Sequence, residues 1–115
     1  MDNCIFCKIA KHEIDSNIIY ENEDVIAFHD LNPVAKVHVL IVPKTHFSNI
    51  YELGKSDEKS RILSAVSEAI TKVAEICDTA DCFRVVVNNG EKAGQSVFHL
   101  HFHLIGGQEL PTNLL

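Results

Sequence analysis

Apolar residues recur along this chain with two different periods, and the change of period predicts the order of helices and strands. Near the N-terminus, residues 4–12 carry apolar positions at helical spacing and predict a short helix or turn. Five short runs rich in β-branched and other apolar residues predict strands. These runs are residues 18–20, 25–28, 37–42, 83–88 and 99–105.

One longer segment has a helical period. From Ser56 onward, apolar residues fall three or four positions apart, at Ile62, Leu63, Val66, Ala69, Ile70, Val73 and Ile76. Ser56 is the predicted N-cap, because Asp57 and Glu58 then lie in the first turn, where carboxylates favour the helix dipole. The helix is expected to end between Cys77 and Asp81. The pattern predicts an α+β fold: a mainly antiparallel five-stranded sheet, one long helix packed on it and a short N-terminal helix.

Composition narrows the class of protein. With 115 residues, 46 % of them apolar, the chain is long enough for one compact core, so we expect a single domain over residues 1–115. No apolar run is long enough to span a membrane, and the N-terminus lacks a secretory signal. A net charge of −6 disfavours broad binding to nucleic acid. We therefore expect a cytoplasmic protein that binds neither membranes nor nucleic acid.

Three histidines near the C-terminus are the strongest indication of chemistry. His99, His101 and His103 alternate with apolar residues, so on a strand all three imidazoles would lie on one face. An ordinary solvent-facing strand also alternates in this way. Histidine is nevertheless the side chain whose charge changes near neutral pH, which favours catalysis or metal binding.

The loop before these histidines points to phosphate chemistry. Gly90 and Gly94 allow the backbone to approach a ligand closely and to present amide N–H groups to an anion, next to Gln95 and Ser96. A glycine-containing loop by itself usually only turns the chain. Its position beside the imidazoles therefore carries the inference.

The segment from Gly94 to Leu104 resembles the signature of the histidine-triad (HIT) family, His-φ-His-φ-His-φ-φ with φ apolar, preceded by the Gly-Gln-Ser common in its Hint-like branch. Residues 4–9, 27–33, 38–46 and 87–90 also follow the family order. The resemblance implies a nucleotide hydrolase or nucleotidyl transferase that cleaves the α-phosphate bond of nucleoside phosphoramidates or related nucleotides through a covalent nucleotidyl-histidine. A neutral imidazole is a competent nucleophile at pH 7.

Roles for individual residues follow from the same resemblance. His101 is the implied nucleophile, and His103 contacts the phosphate. Ser96 lies near the leaving-group atom, and His38 supports the active site. Asn88 and Gly94 are implied to hold phosphate oxygens, and Gln95 is a further candidate substrate-binding residue.

The resemblance also implies a purine nucleoside pocket and a homodimer. Asp30 would bind the ribose hydroxyls, with His29 beside it. The apolar residues implied around the base are Phe6, Ile9, Ile14, Phe28 and Leu31. From their residue types alone, these five side chains are more typical of a core, and Asp30 of a turn.

Cys4-x-x-Cys7 has the spacing that lets two thiolates reach one tetrahedral metal ion. Two unligated thiols or a redox pair are the alternatives. The resemblance to HIT proteins that keep this motif implies a structural zinc ion held also by His46 and His99. The two remaining cysteines, Cys77 and Cys82, fit no ligand pattern and are expected to be small buried residues.

Two other functions remain open from the sequence. In a zinc hydrolase, His99, His101 and His103 would together bind the metal and activate water. In a nucleotide-binding regulatory or scaffold protein, catalysis would be vestigial.

Overall fold

The structure is a computed structural model that describes residues 3–113. Its five strands form one antiparallel sheet in the order β1-β2-β3-β5-β4. Three α-helices and one 3₁₀ turn complete the fold, which confirms the predicted α+β class. The elements in chain order are α1 (Ile5–Ala10), β1 (Ile18–Glu21), β2 (Val25–His29), β3 (Val37–Pro43), α2 (Ile50–Gly54), α3 (Lys59–Ile76), β4 (Phe83–Val86), the 3₁₀ turn Glu91–Ala93 and β5 (Phe102–Gly106).

The two faces of the sheet are covered unequally. The long helix α3 packs on one face and encloses the main core, because alternate strand residues such as Val25, Val39 and Leu104 point toward it. The opposite face carries Ile26 and Leu40 and is covered by the six-residue helix α1. Since α1 is so short, the rest of this face is left for the histidines and a cleft.

The long helix begins two residues later than predicted. Its first residue is Lys59 and its N-cap position is Glu58, so Ser56 is not the N-cap. The Ser56 hydroxyl oxygen instead accepts the Glu58 N–H at 3.0 Å, and the Ser56 carbonyl accepts the Lys59 N–H at 3.2 Å. These bonds form a separate turn before the helix. The helix ends at Ile76, with Cys77 as its C-cap, close to the predicted end.

Helix α2 was not predicted, because five residues are too few to show a period. A local signal does exist in the sequence. The Asn49 side chain accepts the Glu52 N–H at 2.9 Å, and Asn three residues before Glu is typical of a helix N-terminus. Leu53 on this helix is fully buried in the main core.

The last two strands are shorter than predicted. β4 ends at Val86, and β5 begins only at Phe102. Residues 99–101 nevertheless run beside the chain that follows β3, since the Leu100 N–H donates to the Phe47 carbonyl at 2.7 Å. Burial of Leu100 and Phe102 in the main core preserves the predicted alternation.

Three further predictions about burial are corrected. Cys82 is exposed, because it lies in the turn before β4 rather than inside that strand, whereas Cys77 is half-buried against the main core. Leu63 and Ile76 of the predicted apolar face are 42 % and 59 % exposed. Among the helices of residues 3–113, none combines the length and the apolar character needed to cross a membrane.

Candidate active site and metal-ligand cluster

A cleft of about 330 Å³ opens on the sheet face that α1 only partly covers. It brings together residues from α1, from the loop after β2 and from the histidine segment. The predicted site residues that line it are Phe6, Ile9, Ile14, Phe28, His29, Asp30, Leu31, Ser96, His101 and His103. The cleft is also lined by residues that the sequence did not single out, namely Ile5, Asp15, Ser16, Asn32, Leu40 and Val97.

The apolar residues that line the cleft differ in how deeply they are buried. Phe6, Ile9 and Phe28 are buried in the smaller core and also form the cleft wall, so core and pocket roles coincide. Leu31 is 91 % exposed and Ile14 is also exposed, so these two stand at the cleft's edge. Leu31 thus presents apolar surface to the solvent in the absence of a bound molecule.

His101 is buried at the inner end of the cleft, and its ring orientation is fixed. Its Nδ1 lies 2.8 Å from the His99 carbonyl oxygen, and its ring meets the Phe6 ring edge-on with centroids 5.1 Å apart. A carbonyl oxygen can only accept a hydrogen bond, so Nδ1 carries the proton. In the neutral ring, Nε2 then keeps its lone pair, which makes Nε2 the nucleophilic atom.

His38 and His103 form a second imidazole pair beside His101. The Nε2 of His38 lies 2.9 Å from the Nδ1 of His103 and 3.4 Å from the Asp30 carboxylate. Burial lowers the pKa of His38, and the nearby Asp30 charge only partly opposes this effect. Burial, followed by the neighbouring His101 and His38, lowers the pKa of His103 to about 4. Both rings are therefore neutral at pH 7.

Gln95 does not reach the cleft. Its buried side-chain oxygen accepts the Gly90 N–H at 2.8 Å, and its nitrogen donates to the carbonyls of Ser48 and Val97 at 2.7 and 3.0 Å. This predicted substrate-binding residue therefore joins the loop after β3 to the loop before β5. Each of its polar atoms is bonded to the protein backbone.

Asn88 and Gly94 lie next to each other but outside the main cleft. Gly94 adopts a φ of +99°, and a β-carbon built on it would stand 3.7 Å from the Asn88 side-chain nitrogen. Asn88 lines a smaller cavity of about 210 Å³, together with His38 and His103. Because His103 lines both cavities, Asn88 lies in the neighbourhood of His103 without lining the main cleft.

The four predicted metal ligands come together at the N-terminus of α1. Their donor atoms all lie within 4.8 Å of one another. The His99 Nδ1 is 3.2 Å from the Cys4 sulfur and 3.1 Å from the His46 Nδ1, while the Cys7 sulfur is 3.3 Å from that His46 nitrogen. Zinc–sulfur and zinc–nitrogen bond lengths in a tetrahedron place ligand atoms about 3.3–3.8 Å apart. The cluster therefore has the size and the donors of a tetrahedral metal site.

The outer nitrogen of His99 supports this interpretation. Its Nε2 lies 2.7 Å from the Pro43 carbonyl oxygen and must donate to it, so the lone pair of Nδ1 faces the two sulfurs. Burial lowers the pKa of His99 to about 4, which keeps that lone pair free of a proton at pH 7. The His46 Nδ1 lies 3.1 Å from the His99 Nδ1, a distance at which both nitrogens can bind one cation once neither carries a proton.

The three alternating histidines do not share one target. His99 faces the cysteines, His101 faces the cleft, and His103 pairs with His38. Among the residues that the structure describes, the two candidate metal clusters each contain one of these histidines and neither contains His101. The geometry thus disagrees with a hydrolase in which all three bind one metal ion.

Comparison with known proteins identifies the family of this chain. The family model described as "HIT domain" matches residues 11–110. The chain belongs to the histidine-triad (HIT) family. "Protein hit" of Bacillus subtilis is 46 % identical over 107 residues, which is 90 % of this chain and 70 % of that protein.

Two further HIT relatives bear on the site. The "14 kDa zinc-binding protein" of Zea mays is 42 % identical over 107 residues, with 92 % of this chain and 83 % of that protein covered. A solved structure called a HIT family hydrolase, from Clostridium thermocellum, superposes with a TM-score of 0.92 at 46 % identity. That superposition covers 100 % of this chain and 99 % of the other.

Proposed function

We propose that this HIT protein is a nucleotide hydrolase that acts on the α-phosphate of purine nucleoside phosphoramidates or related nucleotides. The observation that carries the proposal is the orientation of His101, whose proton-free Nε2 belongs to a ring that lines a cleft of about 330 Å³. Small-molecule sites have volumes of roughly 300–1,000 Å³. The related Clostridium thermocellum structure, named a hydrolase, adds support.

The proposed reaction has two steps. The Nε2 lone pair of His101 attacks the α-phosphorus, and the bond to the leaving group breaks with its electron pair, which takes a proton from water. Water then attacks the same phosphorus and gives up one proton, the phosphorus–Nε2 bond breaks with its electron pair returning to Nε2, and the nucleoside monophosphate leaves. The released proton replaces the one that solvent supplied in the first step. Negative charge grows on the phosphoryl oxygens in both steps. We propose that His103 and Ser96, with Asn88 and Gly94 beyond them, stabilise it.

We propose that the nucleoside occupies the apolar part of the cleft. Phe6, Ile9 and Phe28 give a rigid wall for a base, while Ile14 and Leu31 would be covered by it. Asp30 would accept hydrogen bonds from the ribose hydroxyls, and His29 lies beside it. The Asp30 Oδ1 already accepts the Asn32 N–H at 2.8 Å, which holds the carboxylate in place at the cleft.

The test uses a panel of adenosine and guanosine nucleotides that differ only in the leaving group. We expect release of the nucleoside monophosphate, and a nucleotidyl adduct on wild-type protein denatured rapidly at neutral pH, detected by mass spectrometry. Binding without turnover or adduct on every compound would instead support a regulatory nucleotide-binding protein.

We also propose that the Cys4, Cys7, His46 and His99 cluster holds a structural zinc ion. Its donor set fits zinc, and the Zea mays relative is named a zinc-binding protein. When bound, zinc supplies a cross-link and takes no part in the reaction. The four residues join α1 to the end of β3 and to the segment before β5, next to His101.

Finally, we propose a cytoplasmic homodimer. Val85 on the edge strand β4 and Leu63 and Ile76 on α3 are 39–59 % exposed, and such apolar surface favours pairing with a second copy. Cys4, Cys7, Cys77 and Cys82 form no disulfides, as expected in a reducing compartment. Light scattering at micromolar concentration should give the dimer mass; a monomer mass would contradict the proposal.

A further inference from the structure

We propose that the backbone amide of Val34 sets the proton positions of His38 and His103, so that His103 faces the substrate phosphate as a neutral N–H donor. Val34 lies in the loop between β2 and β3, and its N–H lies 3.1 Å from the Nδ1 of His38. The amide is a positioning group, because it acts through two imidazoles. The part of the inference that concerns phosphate rests on the proposed function.

The first step concerns His38. A backbone N–H can only donate, so the Nδ1 of His38 must accept and must carry no proton. A neutral imidazole has one proton, which is then on Nε2. The tautomer of His38 is therefore decided by a main-chain group rather than by a side chain.

The second step passes this choice to His103. The Nε2 proton of His38 points at the Nδ1 of His103, 2.9 Å away, so Nδ1 of His103 accepts and its own proton must lie on Nε2. His103 lines the cleft together with His101, with ring centroids 5.0 Å apart. Its Nε2–H is consequently the group available to a phosphoryl oxygen bound there.

The charged and titratable groups around this pair leave the assignment unchanged. The Asp30 carboxylate is 3.4 Å from the Nε2 of His38, farther than the His103 nitrogen, and is also held by the Asn32 N–H. The Nδ1–H of His101 is donated to the His99 carbonyl oxygen and takes no part in the hydrogen bond between His38 and His103. The chain of bonds starts at an amide, which does not release its proton. His103 is thus a fixed donor and not a proton relay, so the leaving group takes its proton from solvent.

The same proton positions argue against metal binding by Asp30, His38 and His103. Asp30, His38 and His103 place their donor atoms within 4.8 Å of one another, a spacing that also suits a metal ion. A metal would need the lone pair of the His38 Nε2, which here carries a proton. The Val34 amide therefore makes this cluster a hydrogen-bonded chain, in contrast to the cluster that contains cysteine.

The direct test is nuclear magnetic resonance of the zinc-loaded protein with ¹⁵N-labelled histidine, using long-range ¹H–¹⁵N spectra at neutral pH. Signals are assigned by His38→Asn and His103→Asn variants. We expect both rings to be neutral with the proton on Nε2. A proton on Nδ1 of either ring would overturn the proposal, whether or not the protein hydrolyses any nucleotide.

The kinetic test removes one N–H. Val34 is 70 % exposed, so Val34→Ala is a matched control that keeps the amide, whereas Val34→Pro lacks it. We expect kcat to fall by about tenfold in Val34→Pro with KM changed less than about twofold, and mixed tautomers for His38. A folded Val34→Pro protein with wild-type kcat and wild-type tautomers would contradict the proposal.

The two tests separate the inference from the function on which it rests. If Val34→Pro does not fold, the wild-type spectrum still decides the proton positions. If the expected tautomers are observed but neither wild type nor Val34→Ala hydrolyses any nucleotide, the amide's role stands and the hydrolase proposal falls.

Discussion

The molecule contains two close pairs of imidazoles with almost the same separation and opposite chemistry. His46 and His99 approach to 3.1 Å through two Nδ1 atoms, whereas His38 and His103 approach to 2.9 Å through Nε2 and Nδ1. In the first pair, the Nδ1 lone pair of His99 faces the sulfurs of Cys4 and Cys7. The second pair is a donor and an acceptor that satisfy each other.

The difference comes from the main-chain atom that contacts the second ring nitrogen, the one that does not face the other imidazole. The Pro43 carbonyl oxygen accepts the Nε2–H of His99, so the lone pair of the His99 Nδ1 faces the cysteines. The Val34 backbone N–H donates to the Nδ1 of His38, so the Nε2 of His38 carries the proton and faces His103. Main-chain partners thus decide whether a buried histidine serves as a ligand or as a hydrogen-bond donor.

His101 lies between the two pairs and follows the same rule. Its outer partner is a carbonyl oxygen, so it presents a lone pair as His99 does. Within residues 3–113 it belongs to neither candidate metal cluster, and the ring lines the cleft instead. A lone pair exposed to a ligand cleft suits nucleophilic attack rather than metal binding.

The largest expected effect separates His101 from His103. His101→Ala should lower turnover by about 10⁴-fold or more, because it removes the nucleophile, while nucleotide binding and zinc content stay unchanged. His103→Ala should cost about 10²-fold, because it removes one donor to the phosphoryl oxygens. Steady-state kinetics with calorimetric binding checks both. Equal losses in the two variants would mean that they do not have different roles.

The next largest effect tests the metal-ligand cluster that contains Cys4 and Cys7. Joint replacement Cys4→Ser and Cys7→Ser should reduce bound zinc from about one equivalent to nearly none, since hydroxyls are poor zinc ligands. The free energy of unfolding should fall by about 3 kcal/mol or more. Elemental analysis and chemical denaturation measure these changes. Cys77→Ser, outside the cluster, is the control, and unchanged zinc in the double variant would exclude the site.

A smaller effect concerns Gln95, which joins the loop after β3 to the loop before β5. Gln95→Leu keeps a similar volume but leaves the Gly90 N–H and the carbonyls of Ser48 and Val97 without this partner. We expect a loss of about 2 kcal/mol in the free energy of unfolding. Gln108→Leu, which removes a single exposed bond to the Lys36 N–H, is the control. Equal losses would show that the Gln95 contacts are no stronger than surface ones.

The smallest expected effect is the pH dependence of stability. Burial first, then His101 and His38, lowers the pKa of His103 from 6.5 to about 4, so between these values the unfolded state binds a proton that the folded state does not. The resulting stability is complete above pH 6.5 and is lost as the pH falls toward 4. Because His103 is only half-buried, solvent screening reduces the effect, and wild type should lose about 1 kcal/mol more than His103→Gln over this range. Both proteins share His99 and the cysteines, so their difference isolates His103. Parallel curves would contradict the assignment.

Much of the fold followed from local patterns. Strand alternation predicted that the three histidines and the apolar residues between them lie on opposite faces, and Leu100, Phe102 and Leu104 are indeed buried in the main core. A helical period located α3. The start of that helix was missed, because Ser56 forms its own turn with Glu58. Helix α2 was missed because it is too short for a period to show.

The amino-acid sequence by itself determined which chemical groups are present and on which side of the sheet they lie, because periodicity is a property of neighbouring residues. Only the tertiary structure decided what each imidazole does. The partners that orient them, Pro43 for His99 and His38 for His103, are 56 and 65 residues away along the chain. A tautomer depends on the atom that reaches the ring's outer nitrogen, and that contact exists only after the strands have paired.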